Sequence, residues 1–411
     1  MSETLEVWID AASVGELTRV GRIAHDRGHV RFQYDRAWLT HPRCFDIDPD
    51  LTLDQASFHP DPAIGHFGIF LDSSPDRWGQ TLMKRREALE AKDQGRPPRT
   101  LYAWDYLIGV QDATRQGALR YRREGEETFL SDHPLAAPPV TQLGELEDVA
   151  KALTSKRIDD LEALRRWLSV LVAPGASLGG ARPKANFTQA DGALWMAKFP
   201  SRDDELDIGG WEGVVHELAA RAGIDVPPAK VLRLNSEHHT FCVKRFDRAN
   251  GRRVFYASAM TLLRRTESEG ASYLDLAQFL LRNGARSQIH ADLAQLFRRV
   301  VFNVAVGNRD DHLRNHGFAL DGTGWRLSPA FDLNPNIDKA EHVLMIDDRE
   351  HHPSLAAVRA TAPLYELKVE AAGAIIEDVM AVVATWRETA RRFGLAAADI
   401  AQMEGAFLSG E

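Results

Sequence analysis

Residues 307–315 read GNRDDHLRN and residues 328–336 read SPAFDLNPN, and the fold is decided by how these two stretches are read together. Asp310 and Asn315 stand five apart on one short polar loop that follows an apolar helical run. A loop leaving a buried helix can point Asp310 at a nucleophile while its later turn brings Asn315 toward a second reactant. Asp332, just downstream, supplies a further carboxylate. Magnesium prefers oxygen ligands and keeps several waters, so the Asn315 amide, the Asp332 carboxylate and phosphate oxygens would suffice to hold it, with no Cys or His. A polar turn that only caps and solvates would look the same in 307–315 alone. Asp332 is what tips the reading.

The Asp-x-x-x-x-Asn spacing is that of the protein-kinase catalytic loop, and Asp332 falls where kinases carry Asp-Phe-Gly. Upstream, Lys198 lies in the otherwise apolar strand LWMAKFP, where a lysine is costly to bury without an anion, and phosphate would provide one. A helix expected from Trp211 offers Glu212 as the partner of Lys198, with Glu217 second. A lysine snorkelling from a strand edge is the plainer alternative. The loop ASLGGARPK, residues 176–184, has adjacent glycines that permit close approach of backbone to phosphate, with Arg182 and Lys184 adding charge. It lacks the G-x-x-x-x-G-K-[ST] pattern of a Walker loop, and an ordinary helix-to-strand turn is its bland reading.

The order of the remaining chain agrees with a kinase-like arrangement. Short runs at 5–10 and 29–35, punctuated by Gly15, Gly21 and Gly28, read as strands, and DRWGQTLMKRREALEAKD (76–93) reads as a helix. The proline-bearing polar stretch 122–142 reads as a connection. Helical spacing continues over 144–172 with a break near Ser155; KANFTQADGALWMAKFP reads as a hairpin turning at Asp191-Gly192, and VLRLNSEHHTFCVKRFDR as a second strand pair. From about 257 onward the spacing is mostly helical. The expected fold is therefore α+β: a bilobal protein-kinase-like core with an extra β-rich N-terminal module and a mainly α-helical C-terminal lobe. The expected divisions are an N-terminal module over 1–125, a linker with helical connection over 126–165, a nucleotide-binding lobe over 166–248 and a catalytic lobe over 249–411.

With 411 residues, 44% hydrophobic and 27% charged, the chain has the composition of a globular protein of more than one lobe. Two distant cysteines, Cys44 and Cys242, argue against a disulfide framework and a structural zinc site, so a reducing cytoplasm is expected. The N-terminus shows no signal-peptide pattern and no apolar run is long enough to span a bilayer, which excludes secretion and membrane insertion from the expectations. A net charge of −9 opposes general nucleic-acid binding.

The chain resembles the HipA family of serine/threonine kinases, toxins of bacterial toxin–antitoxin modules. The likeness is carried by VWIDAASVGEL (7–17), RFQYDRAWL (31–39), FLDSSPDRWGQ (70–80) and DATRQGALRY (112–121) in the N-terminal module. SLGGARPKA (177–185), GNRDDHLRNHGF (307–318) and LSPAFDLNP (327–335) carry it in the core. The resemblance implies Asp310 as proton acceptor, Asn315 and Asp332 as magnesium ligands and Lys198 as the ATP-phosphate lysine. It further implies Gly179, Gly180, Ala181, Arg182 and Lys184 in the nucleotide loop, Lys244 to Phe246 against adenine and His312 at the nucleotide. Ser177 matches a serine that the family autophosphorylates, which would add charge of about −1.5 to −2 beside the ATP site and inhibit it; alternatively it only caps the loop. Implied partners are an aminoacyl-tRNA synthetase as substrate, glutamyl-tRNA synthetase being the family's best-known target, and a helix-turn-helix antitoxin, HipB, that contacts operator DNA. Three departures stand out: Asn308 where many kinases have His, Leu333 where the metal aspartate is usually followed by Gly, and Asp311 as a second acid beside Asp310. A small-molecule phosphotransferase with the same core is the competing enzyme, and an inactive antitoxin-binding scaffold the competing non-enzyme. Arg387, Arg391 and Arg392 could face DNA, although a solvated helix face reads more simply.

Overall fold

The computed structural model describes residues 2–131, 137–154, 182–349, 351–352 and 354–408. The chain forms two compact units, residues 1–202 with 244–266, and residues 203–243 with 267–411.

The first unit opens with a five-stranded antiparallel sheet of order β4-β3-β2-β1-β5, in which β1 is Glu3–Ile9, β2 Thr18–Asp26, β3 His29–Tyr34, β4 Ser57–Phe58 and β5 Leu119–Arg123. In β3 the residues alternate exposed and buried, the period-two pattern of a strand with one face on the core. Arg27 and Gly28 turn the β2–β3 hairpin with φ of 48° and 87°, the left-handed pair that a two-residue hairpin demands. The buried face is aromatic, with Phe32 5.7 Å from Phe70 and Phe70 6.1 Å from Tyr121 between ring centroids.

Helix α1, Arg77–Asp93, begins where the sequence expects it because the Asp76 side chain accepts a hydrogen bond from the Gly79 amide at 2.9 Å. Helix α2, Leu143–Thr154, is the described part of the expected 144–172 helical region. The hairpin of β6 (Lys184–Thr188) and β7 (Leu194–Lys198) turns as expected: Gly192 takes φ 80° and donates to Gln189 O at 2.9 Å.

Residues 125 and 248 both fall inside the first unit. Thr188 N donates to Pro138 O at 2.9 Å, holding the end of the linker on the hairpin, and residues 244–266 return to the first module. Asp72 accepts from Ser258 N and Ser258 Oγ, both at 2.7 Å, and Asp247 Oδ2 accepts from Gly117 N at 2.8 Å. Asp247 is buried. Burial alone would push its carboxyl up, but Arg245 and Arg248 beside it hold it far below the usual carboxylate range. Arg115, also fully buried, donates to Ser73 O and Val110 O at 2.9 Å each. The stretches 70–80 and 112–121 are thus joints within this unit.

The second unit contains helix α3 (Ile208–Arg221), the antiparallel pair β8 (Ala229–Leu232) and β9 (Thr240–Lys244), helices α4 (Tyr273–Asn283) and α5 (Ile289–Val306), the hairpin β10 (Gly317–Asp321) and β11 (Gly324–Leu327), and helix α6 (Val369–Val383). Helix α3 starts three residues before the expected Trp211. Asp207 caps it at Gly210 N, 2.9 Å, and also accepts from His239 N at 2.9 Å, fixing the helix to the start of β9. Gly209 is needed there, since a Cβ would lie 2.0 Å from His239 O. Asp292, near the start of α5, takes Arg326 Nε at 2.8 Å and Leu327 N at 3.2 Å from β11. Helix α5 is buried continuously from Val300 to Val306, and the aromatic cluster Trp211, Trp386 and Phe407 closes the C-terminal end of the unit. Among the described residues no helix is long and apolar enough to cross a membrane, and neither Cys44 nor Cys242 is in a disulfide.

Candidate active site

Helix α5 ends on Gly307, which adopts φ 66° and lies so close to the C-terminal segment that a Cβ would sit 2.3 Å from Ala406 O. The chain then reverses through 308–312, makes a single helical turn over Leu313–Asn315 and enters β10. This reversal sets the two neighbouring acids facing opposite ways.

Asp310 faces out: its side chain is 57% exposed and pairs through Oδ1 with Lys339. Asp311 is 2% exposed and its Oδ2 accepts three hydrogen bonds, from Tyr273 Oη at 2.7 Å, Asn303 Nδ2 at 2.8 Å and His316 Nε2 at 2.7 Å. Burial pushes the Asp311 carboxyl up, but His316, by charge and hydrogen bond, and the Tyr273 hydroxyl outweigh it and hold it below its usual value. The same carboxylate and its buried surroundings raise Tyr273 well above an ordinary phenol. Asp311 is thus a buried anchor, whereas Asp310 is an exposed carboxylate.

The anchor extends to the second acidic stretch. Asn303 accepts through Oδ1 from Asn308 Nδ2 at 3.1 Å, and Asn308 Oδ1 takes the Asn334 amide at 3.5 Å. Asn336 N donates to Gly307 O at 2.9 Å. Asn308, which stands where many kinases have His, therefore ties the Asp332 segment to the end of α5. Asp332 has φ 59° although it is not glycine, a costly conformation that folds keep where a side chain must be aimed. The following Leu333 is buried, anchoring the turn by its side chain in place of the customary glycine.

Asn315 is 6% exposed; its Nδ2 donates to Asp310 O at 3.4 Å, while its Oδ1 is buried without a hydrogen-bond partner among the described residues. A buried acceptor left unpaired costs about 1–3 kcal/mol unless a cation or donor meets it. One amide oxygen and one carboxylate, from Asn315 and Asp332, fit a hard cation that keeps its waters, and no group of three or more His, Cys, Asp or Glu suited to a metal occurs among the described residues. His312 precedes the turn, half-buried, and its Nδ1 is also buried without a hydrogen-bond partner among the described residues.

The remaining expected residues are placed as follows. Lys198 ends β7 and is 7% exposed. Lys184 is 1% exposed, with its ammonium 2.6 Å from Asp76 Oδ2, and its carbonyl accepts from Trp78 Nε1 at 3.0 Å. Its ammonium is thus paired inside its own unit with the aspartate that caps α1. Arg182 donates to Phe199 O at 3.3 Å, and Phe246 packs on Tyr256 at 5.6 Å. Lys244 is half-buried at the end of β9. Glu212 is buried in the second turn of α3, whereas Glu217 pairs with Arg392. Ser177, Gly179, Gly180 and Ala181 lie outside the described residues. Arg387 pairs with Glu404, so two of the three arginines considered for DNA are engaged by carboxylates of their own unit.

Sequence reasoning missed Tyr273, Asn303, Arg309 and Lys339. Asn303 had a signal, as a lone amide in the apolar run VVFNVAV that had to find partners; the others had none.

Comparison with known proteins places the chain among relatives. Among curated proteins of Sinorhizobium fredii, Putative kinase Y4mE is 27% identical over 356 residues, covering 80% of this chain and 76% of that protein. Putative kinase Y4dM is 28% identical over 220 residues, 50% of this chain and 52% of that protein. A chain of the Shewanella oneidensis MR-1 toxin–antitoxin complex of HipA, HipB and operator DNA matches with a TM-score of 0.66 at 16% identity, covering 97% of this chain and 94% of that one. That likeness is one of fold, and the α+β, kinase-like class expected from the sequence is the class observed. Residues 5–96 match the HipA N-terminal domain, and residues 176–386, just over half of the chain, match the HipA-like C-terminal domain. The chain therefore belongs to the HipA family.

Proposed function

We propose that this chain is an ATP- and magnesium-dependent serine/threonine protein kinase and the toxin of a toxin–antitoxin pair. The observation that carries the reading is the contrast on one loop between an exposed carboxylate, Asp310, and a buried amide oxygen without a partner, Asn315 Oδ1. Asp310 is positioned to accept the proton of an incoming hydroxyl, and Asn315 Oδ1 with the Asp332 carboxylate would hold magnesium. Bound there, the cation would neutralise charge on the phosphate oxygens. Lys198, Arg182, His312 and the Gly179–Ala181 loop would contact the nucleotide phosphates, and Lys244 to Phe246 the base. Lys184, paired with Asp76 in its own unit, would add positive charge beside that loop.

The substrate class follows from kinship: a translation protein such as an aminoacyl-tRNA synthetase, whose phosphorylation would arrest growth in the cytoplasm. A HipB-like helix-turn-helix protein would neutralise the toxin and carry the contact with operator DNA, as the partnership named in the Shewanella complex supports. Ser177 would be the autoinhibitory phosphosite.

Purified protein incubated with ATP and magnesium should incorporate phosphate, on Ser177 by mass spectrometry, and Asp310→Ala should abolish incorporation and relieve growth arrest in cells lacking the antitoxin. Equal incorporation by Asp310→Ala would overturn the mechanism. Phosphate only at other sites would remove Ser177 from it, and a phosphoproteome without a synthetase would remove the substrate.

A further inference from the structure

Asp310 does not stand alone, because Lys339 reaches its Oδ1 from the segment that follows Asp332. An exposed ion pair ordinarily says little, since two long side chains gain almost nothing by meeting in water. Here the backbone under the lysine is fixed to the backbone under the aspartate. Arg309, the residue before Asp310, donates through Nη1 to Asn336 O at 3.0 Å and to Lys339 O at 2.9 Å, and through Nη2 to Gly405 O at 3.2 Å. Asn336 Oδ1 accepts from the amides of Asp338 and Lys339 at 2.9 Å each, its own amide goes to Gly307 O, and Val343 N donates to Arg309 O at 3.0 Å. The loop bearing the acid and the loop bearing the lysine are stitched at 307, 309, 336, 339 and 343. Lys339 is delivered to Asp310 by this frame.

Only one carboxylate oxygen is engaged. Asp310 Oδ2 has no partner among the described residues, and the side chain is more than half exposed, so an acceptor hydroxyl can approach it while Oδ1 stays with the lysine. A hydroxyl bonded to Oδ2 would sit about 2.7 Å away. In a reactive pose its oxygen lies about 3–3.5 Å from the phosphorus. The Lys339 ammonium, bonded to the other oxygen of the same carboxylate and carried on a flexible four-carbon stem, is then within reach of the phosphoryl group in transit.

We infer that Lys339 is a catalytic residue of this site: its ammonium neutralises Asp310 in the resting protein and meets the charge on the phosphoryl oxygens during transfer. This rests on the kinase reading above. In the step, the acceptor oxygen forms a bond to the γ-phosphorus as its proton passes to Asp310 Oδ2. The bond between the γ-phosphorus and the β–γ bridging oxygen breaks, and ADP leaves with the electron pair. Lys339 neither gives nor takes a proton.

The experiment compares native protein with Lys339→Gln and Lys339→Arg, in the full chain, by steady-state phosphoryl transfer from ATP with magnesium, by direct binding of a fluorescent ATP analogue, and by thermal unfolding. Loss of one preorganised charge-stabilising group should lower kcat about 10- to 100-fold in Lys339→Gln. Nucleotide affinity should stay within about threefold and the unfolding temperature should not move, because this side chain is half exposed, and Lys339→Arg should recover much of kcat. Native-like turnover in Lys339→Gln would reduce the lysine to a surface counterion. Turnover above native would make it a plug on the base and would equally overturn the inference. If the native protein itself neither binds the analogue nor transfers phosphate, the kinase reading has failed rather than the assignment of Lys339.

Discussion

Replacing Asp311 with alanine should cost more stability than any single change at the exposed acid beside it. The Asp311 carboxylate is 2% exposed, and three donors converge on its Oδ2 at 2.7–2.8 Å. Each buried donor left unpaired costs about 1–3 kcal/mol, so the loss of all three amounts to roughly 3–9 kcal/mol, the lower half applying if water enters the vacated space. A domain's whole stability is about 5–15 kcal/mol. Asp311→Asn is the informative companion: its amide oxygen can take the place of Oδ2 and accept the same donors without the charge, which should cost about 1–2 kcal/mol. Asp310→Ala removes a carboxylate that faces solvent and should leave stability within about 0.5 kcal/mol of native. Because a chain of two units need not unfold in one step, the assay is hydrogen exchange across α5 and residues 307–316, supported by urea titration. Protection there should collapse in Asp311→Ala, fall modestly in Asp311→Asn and persist in Asp310→Ala. Native protection in Asp311→Ala would refute the anchor. Loss of transfer in a fully protected Asp311→Ala, with Asp310→Ala active, would exchange the roles of the two acids.

Two further outcomes are expected. Lys184→Met strands Asp76 in the core and should cost about 3–5 kcal/mol, most of it recovered by adding Asp76→Asn, which keeps a cap for α1; an unchanged unfolding temperature with weakened ATP binding would make Lys184 a nucleotide contact and not a structural one. His342 is 2% exposed, and burial, with the Arg309 charge adding to it and Asp311 opposing it, brings its pKa down from 6.5 to about 4. The unfolded chain then binds the proton first, so this contribution is complete above pH 6.5 and is lost as pH falls toward 4, at up to about 1.4 kcal/mol per pH unit. His342→Leu should flatten the acid limb of the stability profile between pH 6.5 and 4, and an equal decline in native and variant protein would show that other groups set it. His66, buried and likewise brought down to about 4, accounts for part of the remaining slope.

Local features were legible where local chemistry decides them. The good helix formers of 76–93 announced α1, and Asp191-Gly192 announced the β6–β7 turn. Helix α3 was expected from Trp211 and starts three residues earlier, at Ile208, through Gly209 and Gly210. The first glycine serves contact with His239, which only the folded chain reveals. The five-residue spacing singled out Asp310 and Asn315, but which of two adjacent acids faces solvent depends on Tyr273 and Asn303, brought near by packing. Lys339 was invisible for the same reason, since Arg309 and Asn336 deliver it across a gap in sequence that no spacing rule spans. Which segments pack together was not legible in composition or spacing, because Asp72 and Asp247 find partners 186 and 130 residues away.

That last separation is also an interval of time. The first module's strands are complete at Arg123, yet Asp72 must wait for Ser258, about 135 residues later in synthesis. At about 5–20 residues per second the delay is roughly 7–27 s. Through it Asp72 lacks the amide and hydroxyl of Ser258 and Gly117 lacks Asp247, so a module whose strands are finished by Arg123 is closed only when residues 244–266 arrive.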